Sequence, residues 1–311
     1  MLSRPERVAV CACTYLRPRG LARLLEGLTA VEVPDGVTVE VVIVDNDAAG
    51  SGRAVVEAAR GAFPFPLRYV GEPEPGIVAA RNAAVAAASA SGPVAVAFLD
   101  DDEWPSPRWL AELVRVGEEA GAEVVTGTVE PVFDEEPPAW VRTGGFFERP
   151  RHPDGARIHY ARTSNVLIGP AALAVHDQPF EDTGSDGGED TLFFSRVHQA
   201  GLPIAWADGA TVYESVPASR VSPRWIVLRQ YRYGLTRSAV LRTLGGSPWH
   251  AGRRAGLGVV TVLRGLAQLL GAVRGGRAAA VKGAGTVALG VGLVLGLAGV
   301  GHDQYRQVHG S

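Results

Sequence analysis

The chain has 311 residues, with 30 Lys and Arg against 33 Asp and Glu, a formal net charge of −3 and 46% hydrophobic residues. That length suffices for one large α/β domain or two smaller ones with a well-buried core. The charge balance supplies no basic field, so nucleic acid is not the expected partner, and no collagen-like, heptad or solenoid repeat occurs.

The first half alternates strand and helix signals. Val8–Cys13 reads as a strand, and Pro18–Leu28 as a helix with proline at its start. Val37–Val44 is a strand, Gly52–Arg60 a helix, Leu67–Val70 a short strand and Ile77–Ala90 an Ala-rich helix. Val94–Leu99 is a strand and Pro107–Ala120 a helix. This order predicts a mostly parallel sheet covered on both faces, where ligands collect at the carboxyl ends of the strands. Those ends read Thr14-Tyr15, Asp45-Asn46-Asp47, Gly71-Glu72 and Asp100-Asp101-Asp102. Polar residues thus stand where this architecture puts a site. Cys11 and Cys13 share a strand face, a poor geometry for a disulfide, so a reduced, cytosolic catalytic domain is expected. The start, MLSRPERVAVCACTY, lacks the long apolar stretch of a signal peptide.

Val124–Tyr160 mixes short strands with Pro, Gly and charge, and includes Pro137-Pro138-Ala139-Trp140 and Gly144-Gly145-Phe146-Phe147, read as an ordered loop with aromatic anchors. Ser164–Ile168 returns to strand, Phe180–Asp190 is a glycine-loosened acidic loop, Thr191–Ala200 a helix and Ala210–Tyr213 another strand. After about Pro223 the composition shifts. Arg224–Gly234 is an aromatic, arginine-rich helix in which Arg229 and Arg232 share a face, suited to diphosphate, lipid phosphate or solvent. Ala255–Val273 is apolar apart from Arg264 and Gln268, and Ala284–Gly301 is uncharged. A helix of the latter length reaches about 27 Å, marginal against a hydrocarbon core of about 30 Å. Gly292 and Gly296 form a GxxxG pair, and Arg253, Arg254, Arg274, Arg277 and Lys282 flank the apolar segments, as at a cytoplasmic, anionic membrane surface. Residues 1–222 therefore read as a catalytic domain and 223–311 as a helical region that associates with a membrane peripherally or through short helices.

The sharpest single feature is Val94–Asp102, VAVAFLDDD: a core strand ending in three carboxylates. In continued strand geometry Asp100 and Asp102 share a side about 7 Å apart, and Asp101 faces away unless the chain turns. Like charges about 4 Å apart at an effective dielectric near 20 repel by roughly 4 kcal/mol. A hard cation, Mg²⁺ or Mn²⁺, is the simplest remedy, since such ions take carboxylate oxygens and keep positions open for phosphate. A solvated acidic turn is the plainer alternative. No GxxxxGK[ST] or GxGxxG motif stands in a strand-to-helix setting, which removes NTPase and dehydrogenase readings.

VAVCACTYLRP, VVIVDND, EPEPGIVAARN, FLDDDEWP and GGEDTLFF stand in an order and spacing that resembles family 2 glycosyltransferases, more narrowly the bacterial exopolysaccharide glucosyltransferases of the succinoglycan type. The resemblance spans roughly residues 7 to 235. It implies the GT-A fold, a nucleotide-sugar donor (a UDP-sugar foremost), Mn²⁺ or Mg²⁺, inverting transfer of one sugar, and a saccharide or lipid-linked acceptor. Asp102 would bind the metal directly and Asp100 would approach it or the ribose; Asp101 would touch the donor or cap the turn. Asp190 matches the catalytic base, with Glu189 orienting it or the acceptor. Thr14, Tyr15 and Arg17 fall where the nucleotide base sits, with Tyr15 stacking on it or simply half-buried. Asp45 and Asn46 resemble a pair that bonds base and ribose. Arg81 would contact diphosphate or ribose, or lie on the surface. Trp104 and Asn165 would shape the acceptor pocket. Where many relatives carry a metal-binding histidine, this chain reads Ala210–Glu214, so Glu214 takes the position. A Gln-x-x-Arg-Trp motif is lacking, which favours single addition over processive synthesis. Nucleotidyl transfer on a related fold, a carboxylate-pair hydrolase and a non-catalytic membrane scaffold are the competing readings.

Overall fold

The structure, a computed structural model, describes residues 5–92, 94–184 and 187–300. Ser185 and Asp186 of the expected acidic loop, and Gly301 of the last apolar segment, lie outside the described residues.

The chain opens β1 (Arg7–Thr14), α1 (Pro18–Leu28), β2 (Thr38–Asp45), α2 (Arg53–Arg60), β3 (Leu67–Gly71), α3 (Ile77–Ser89), β4 (Ala95–Asp100). These seven elements lie within two residues of the sequence expectation. Leu21, Leu24, Leu25 and Leu28 recur on one face of α1 and are all buried. Burying each such side chain contributes about 1.5 to 3 kcal/mol. Next come β5 (Glu103–Pro105), α4 (Trp109–Ala120), β6 (Val124–Phe133), α5 (Ala139–Gly144), β7 (Arg157–Ile158), β8 (Val166–Ile168) and α6 (Pro170–Leu173). Then follow α7 (Glu189–Gln199), β9 (Ile204–Val216), α8 (Pro223–Thr243) and α9 (Pro248–Leu297). The segment expected as an aromatic loop contains a helix, α5, which Gly145 ends in the left-handed region at φ 59°.

The nine strands form one sheet in the order β3-β2-β1-β4-β8-β6-β9-β5, with β7 also on β9. β3, β2, β1 and β4 run parallel. β8 is antiparallel to both neighbours, while β6 and β9 pair parallel, so the far half is mixed. One sheet face is packed by α1, α2 and α4 and the other by α3 and α7. That double cover explains why Val8, Val10 and Ala12 on one side of β1 and Ala9 and Cys11 on the other are all buried. The chain winds outward from β1 to β3, then returns through α3 to place β4 on the other side of β1. Such a reversal leaves a crevice at the carboxyl ends of β1 and β4.

After β9 the chain leaves the sheet. Ser222 accepts the Trp225 N–H to start α8. α9 folds back on itself at Gly276, whose φ of 67° and ψ of −163° break the helix. Gly265 lies against Val287 and Gly283, and Gly258 against Gly290 and Val294, so the two arms run antiparallel. The GxxxG pair serves packing within the chain: Gly292 abuts the Tyr231 carbonyl and Gly296 abuts Leu235 of α8. The outer arm leaves Val260, Leu263, Leu270 and Val273 exposed, the last by 91%.

Candidate active site at the carboxyl ends of β1 and β4

Asp100 is the last residue of β4, and the chain then turns through Asp101 and Asp102 before Glu103 opens β5. The strand alternation expected for the three aspartates therefore stops at Asp100, and each carboxylate finds its own partner. Asp101 is buried; its carboxylate accepts the Thr14 hydroxyl at 2.9 Å and the Arg17 guanidinium at 2.9 Å. Burial pushes the Asp101 carboxyl up to about 6, with Arg17 pulling the other way. Asp102 accepts from Arg17 at 3.3 Å and from Arg220 at 2.9 Å. Asp100 keeps its side chain 44% exposed, with Arg81 3.7 Å away. Glu103, which the motif reading passed over, accepts the Asp100 N–H at 2.9 Å and so closes the turn. Its other oxygen is buried without a partner, and burial, reinforced by Asp100 and Glu214, pushes its carboxyl well above the usual range. Tyr15 is half-buried in the bend after β1.

Glu189 and Asp190 form the first turn of α7, the helix end that favours acidic side chains. Asp190 is half-buried, and one of its oxygens accepts the Thr191 N–H at 2.5 Å and hydroxyl at 3.1 Å. Arg81 is not on the surface: it is 8% exposed and ion-paired to Glu189, with Asp100 on its other side. A single guanidinium on α3 thus joins the α7 turn to the end of β4. Burial pushes the Glu189 carboxyl up although Arg81 opposes it, while Arg81, despite its own burial, stays firmly charged beside Glu189, Asp100 and Asp190.

Four of the expected site residues are engaged within the fold. Asp45 is fully buried, and its oxygens accept the Gly52 N–H at 2.7 Å, the Tyr69 hydroxyl at 2.9 Å and the Asp47 N–H at 3.1 Å, so it organises the loop into α2. Asn46 is 7% exposed, with its amide committed to the Glu72 and Glu74 carbonyls and the Gly76 N–H; it staples the β2 end to the α3 approach. Asn165 is fully buried at φ 61°, donating to the Thr128 and Ala210 carbonyls at 2.7 Å and accepting the Trp109 indole at 2.8 Å, so it pins strands. Trp104 pairs with Tyr213, one register step from the Glu103–Glu214 pair. Adjacent side chains on a strand face opposite ways. Trp104 accordingly stacks on Tyr213 and lies under Arg23 of α1, turned from the acidic cluster.

Glu214 does face that cluster, but through arginines: Arg149 donates to it at 2.5 Å and Arg220 lies at 3.5 Å. Neither arginine carried a motif signal; each reaches the site only through the fold. Among the described residues no three His, Cys, Asp or Glu side chains converge into a ready metal cage. Mg²⁺-type sites commonly need just one or two carboxylates, with substrate phosphates and water completing the shell. Asp100, part-exposed at the crevice, and Asp102 beside it are hard-oxygen donors that fit such a substrate-borne ion. Glu214 fits less well, both oxygens being paired.

A switch-point crevice lined by an acidic turn on one side and a helix-opening Glu-Asp pair on the other defines an α/β transferase of the nucleotide-diphosphosugar type. The description "Glycosyl transferase family 2" matches residues 9–179. The chain is 37% identical over 235 residues, 75% of each chain, to the succinoglycan biosynthesis protein ExoM of Rhizobium meliloti (strain 1021). The chain belongs to glycosyl transferase family 2 and is a glycosyltransferase. Its fold resembles that of S. aureus TarS 1-349, with a TM-score of 0.53 and 20% identity over 91% of this chain and 90% of that one. The structure of TarS 1-349 in complex with UDP-GlcNAc gives the same TM-score of 0.53 at 20% identity and the same coverage, 91% and 90%. Family membership sets aside the nucleotidyltransferase, hydrolase and scaffold readings.

Proposed function

We propose that the chain transfers one sugar, with inversion, from a nucleotide-sugar donor to a hydroxyl of a saccharide or lipid-linked acceptor in exopolysaccharide synthesis. The observation that carries this is Arg81, which ties Asp100 to Glu189 and so makes the acidic turn and the α7 turn two walls of one site. Asp190 takes the proton of the acceptor hydroxyl as its oxygen attacks the anomeric carbon. The sugar–phosphate bond breaks on the opposite side and the nucleoside diphosphate leaves. Asp102 and Asp100 are the residues that would hold Mn²⁺ or Mg²⁺, which when bound supplies Lewis-acid stabilisation to the departing diphosphate. Thr14, Tyr15 and Arg17 line the donor side; Arg17 also keeps Asp101 and Asp102 in place. A UDP-sugar donor is supported by the UDP-GlcNAc complex of TarS, and the polysaccharide pathway by the ExoM relationship.

In the same reading residues 1–222 are the catalytic domain and 223–311 a unit that holds it at the cytoplasmic face of the membrane. α9 is long and apolar enough to cross a membrane, and its outer arm carries the exposed Val260, Leu263, Leu270 and Val273. The test is transfer from radiolabelled UDP-sugars in membranes, with and without EDTA. Asp190→Asn should keep Mn²⁺-linked UDP binding and lose transfer by about 100-fold or more, and Asp102→Ala should lose the Mn²⁺ dependence of UDP binding. Normal turnover by the first variant, or unchanged Mn²⁺-linked affinity in the second, would refute the assignment.

A further inference from the structure

Charge is divided unevenly along this chain. Residues 1–222 hold 18 Arg and Lys against 32 Asp and Glu, whereas residues 223–300 hold eleven Arg and Lys and no Asp or Glu. α8 and α9 are thus a cationic unit joined to an anionic domain, and packing fixes how that unit sits. Beside the Gly276 turn, Arg277 lies 4.9 Å over the Trp140 ring of α5, and Val281 packs with Val141, Phe147, Val216 and Ile226. The turn of the hairpin is seated on the α/β domain. From there the inner arm, residues 277–297, runs away along α8. Gly285 lies against Gln230, Gly292 against the Tyr231 carbonyl and Gly296 against Leu235, and Ser238 donates to the Leu293 carbonyl at 2.7 Å. Length alone would let α9 cross a bilayer, but these contacts hold its inner arm to α8. α8 carries Arg224, Arg229, Arg232, Arg237 and Arg242 in 21 residues and is too highly charged to follow it into hydrocarbon.

The outer arm, residues 248–275, is covered on one side only. Gly258 and Gly265 face the inner arm, while Val259, Leu263, Leu266, Leu270 and Val273 stand exposed. At about 100° per residue those five fall within about 80° of arc, the single stripe of a helix lying along an apolar surface. Arg253 and Arg264, both exposed, stand about 100 to 120° round from Leu270, at the edge of the stripe, and Arg274 follows its last residue. Upright in a bilayer, Arg264 would stand about 15 Å from Arg253 and from Arg274 along the axis, in mid-hydrocarbon; lying flat, it reaches the headgroups. An open groove of about 240 Å³ between the arms, lined by Val259, Val262, Leu263, Val291, Val294 and Leu295, gives room for an acyl chain beside the stripe. We propose that the outer arm lies flat in the surface of an anionic phospholipid bilayer, with Arg253, Arg264 and Arg274 on headgroup phosphates, and that no segment of α9 crosses. This rests on the membrane reading above and narrows it to one orientation and one lipid class.

The test begins with flotation of the full chain, exchanged out of detergent, on vesicles of phosphatidylcholine alone and of phosphatidylcholine with phosphatidylglycerol. The parent should bind the anionic vesicles in a salt-sensitive manner and the neutral ones several-fold more weakly. Arg264→Gln should weaken anionic binding about fivefold, the scale of one basic side chain at such a surface, and Leu270→Asp about tenfold or more. Both side chains are exposed, so circular dichroism and UDP affinity should stay at parental values. Ser247→Cys, at the start of the outer arm, reports orientation in membranes of expressing cells, with the parent and its Cys11 and Cys13 as background. An impermeant maleimide should label it in inverted vesicles and not in right-side-out ones. Labelling in right-side-out vesicles would overturn the flat arm and leave membrane attachment standing. Equal binding to both vesicle types would overturn the choice of anionic lipid. A parent that floats with neither would overturn attachment itself, and self-association abolished by Leu270→Asp would then give the stripe to a second copy of the chain.

Discussion

Replacing Arg81 by Gln removes the one cation between Glu189 and Asp100. Glu189 is 6% exposed, so leaving it ionised without a partner is costly; breaking such a buried pair costs about 3 to 5 kcal/mol. Asp100, at 3.7 Å and 44% exposed, adds less than about 1 kcal/mol to that loss because water screens it. Glu189 has a way out, which is to take up a proton. Its folded pKa already lies above the ordinary carboxylate value from burial, and loss of Arg81 raises it further. A group whose folded pKa is raised binds more protons in the native state than in the unfolded chain, so stability falls as pH rises, by up to about 1.4 kcal/mol per unit. Arg81→Gln should therefore be only about 1 kcal/mol less stable than the parent near pH 5 and about 3 to 5 kcal/mol less stable near pH 8. The double variant Arg81→Gln/Glu189→Gln should show little of this pH dependence. Urea unfolding followed by circular dichroism at the two pH values measures both. A deficit in Arg81→Gln that is flat with pH, or one that Glu189→Gln fails to flatten, would refute the buried bridge.

Asp101→Asn tests the acidic turn: with a folded value of about 6 against 3.8 unfolded, Asp101 destabilises as pH rises through that window, so the variant should gain about 2 kcal/mol relative to the parent between pH 4.5 and 7. A constant difference across those pH values in thermal melts would show that Asp101 is not held neutral by burial. Asn165→Ala deletes an amide that satisfies two buried carbonyls and the Trp109 indole and should cost about 3 kcal/mol or more in urea unfolding; a loss below 1 kcal/mol would return Asn165 to the surface. Gly296→Leu puts a side chain where a Cβ alone would stand 2.8 Å from the Leu235 carbonyl, so α8 and α9 should part and limited proteolysis between residues 243 and 248 should speed up severalfold; an unchanged digestion pattern would argue against this contact.

The parallel half of the sheet was legible because its signals are local. β1 to β4 are short apolar runs between helices whose periodicity and proline or glycine boundaries are written in consecutive residues, and α1 begins and ends at the residues its leucine pattern requires. The antiparallel insertion of β8 between β4 and β6 was not legible. A three-residue apolar run such as Val166–Ile168 carries no record of its neighbours, and the left-handed Asn165 that seats it reads in sequence as an ordinary polar residue. The helical hairpin was half visible: two apolar segments flanked by arginines stand out, but whether glycines face lipid, each other or α8 depends on contacts far along the chain, such as Gly292 on Tyr231.

In the site the motifs reveal acids and hide what balances them. Asp100, Asp101, Asp102, Glu189 and Asp190 fall in tight clusters, because an acidic cluster is made by neighbouring residues. Their countercharges come from the residue before α1, from α3 and from the turn before α8, as Arg17, Arg81 and Arg220. In a chain with 30 Lys and Arg, no one arginine announces that it will be buried. The same difference explains why the structural duties of Asp45 and Asn46 were not visible in the sequence. Asp45 and Asn46 sit at a strand end as a ligand-binding pair would, yet strand ends in this fold must also satisfy the backbone N–H groups of the loops they launch. Asp45 takes up the Gly52 N–H and Asn46 the Gly76 N–H, which leaves the crevice to residues such as Tyr15, Arg17 and Asp100, one step farther along the chain or one strand across.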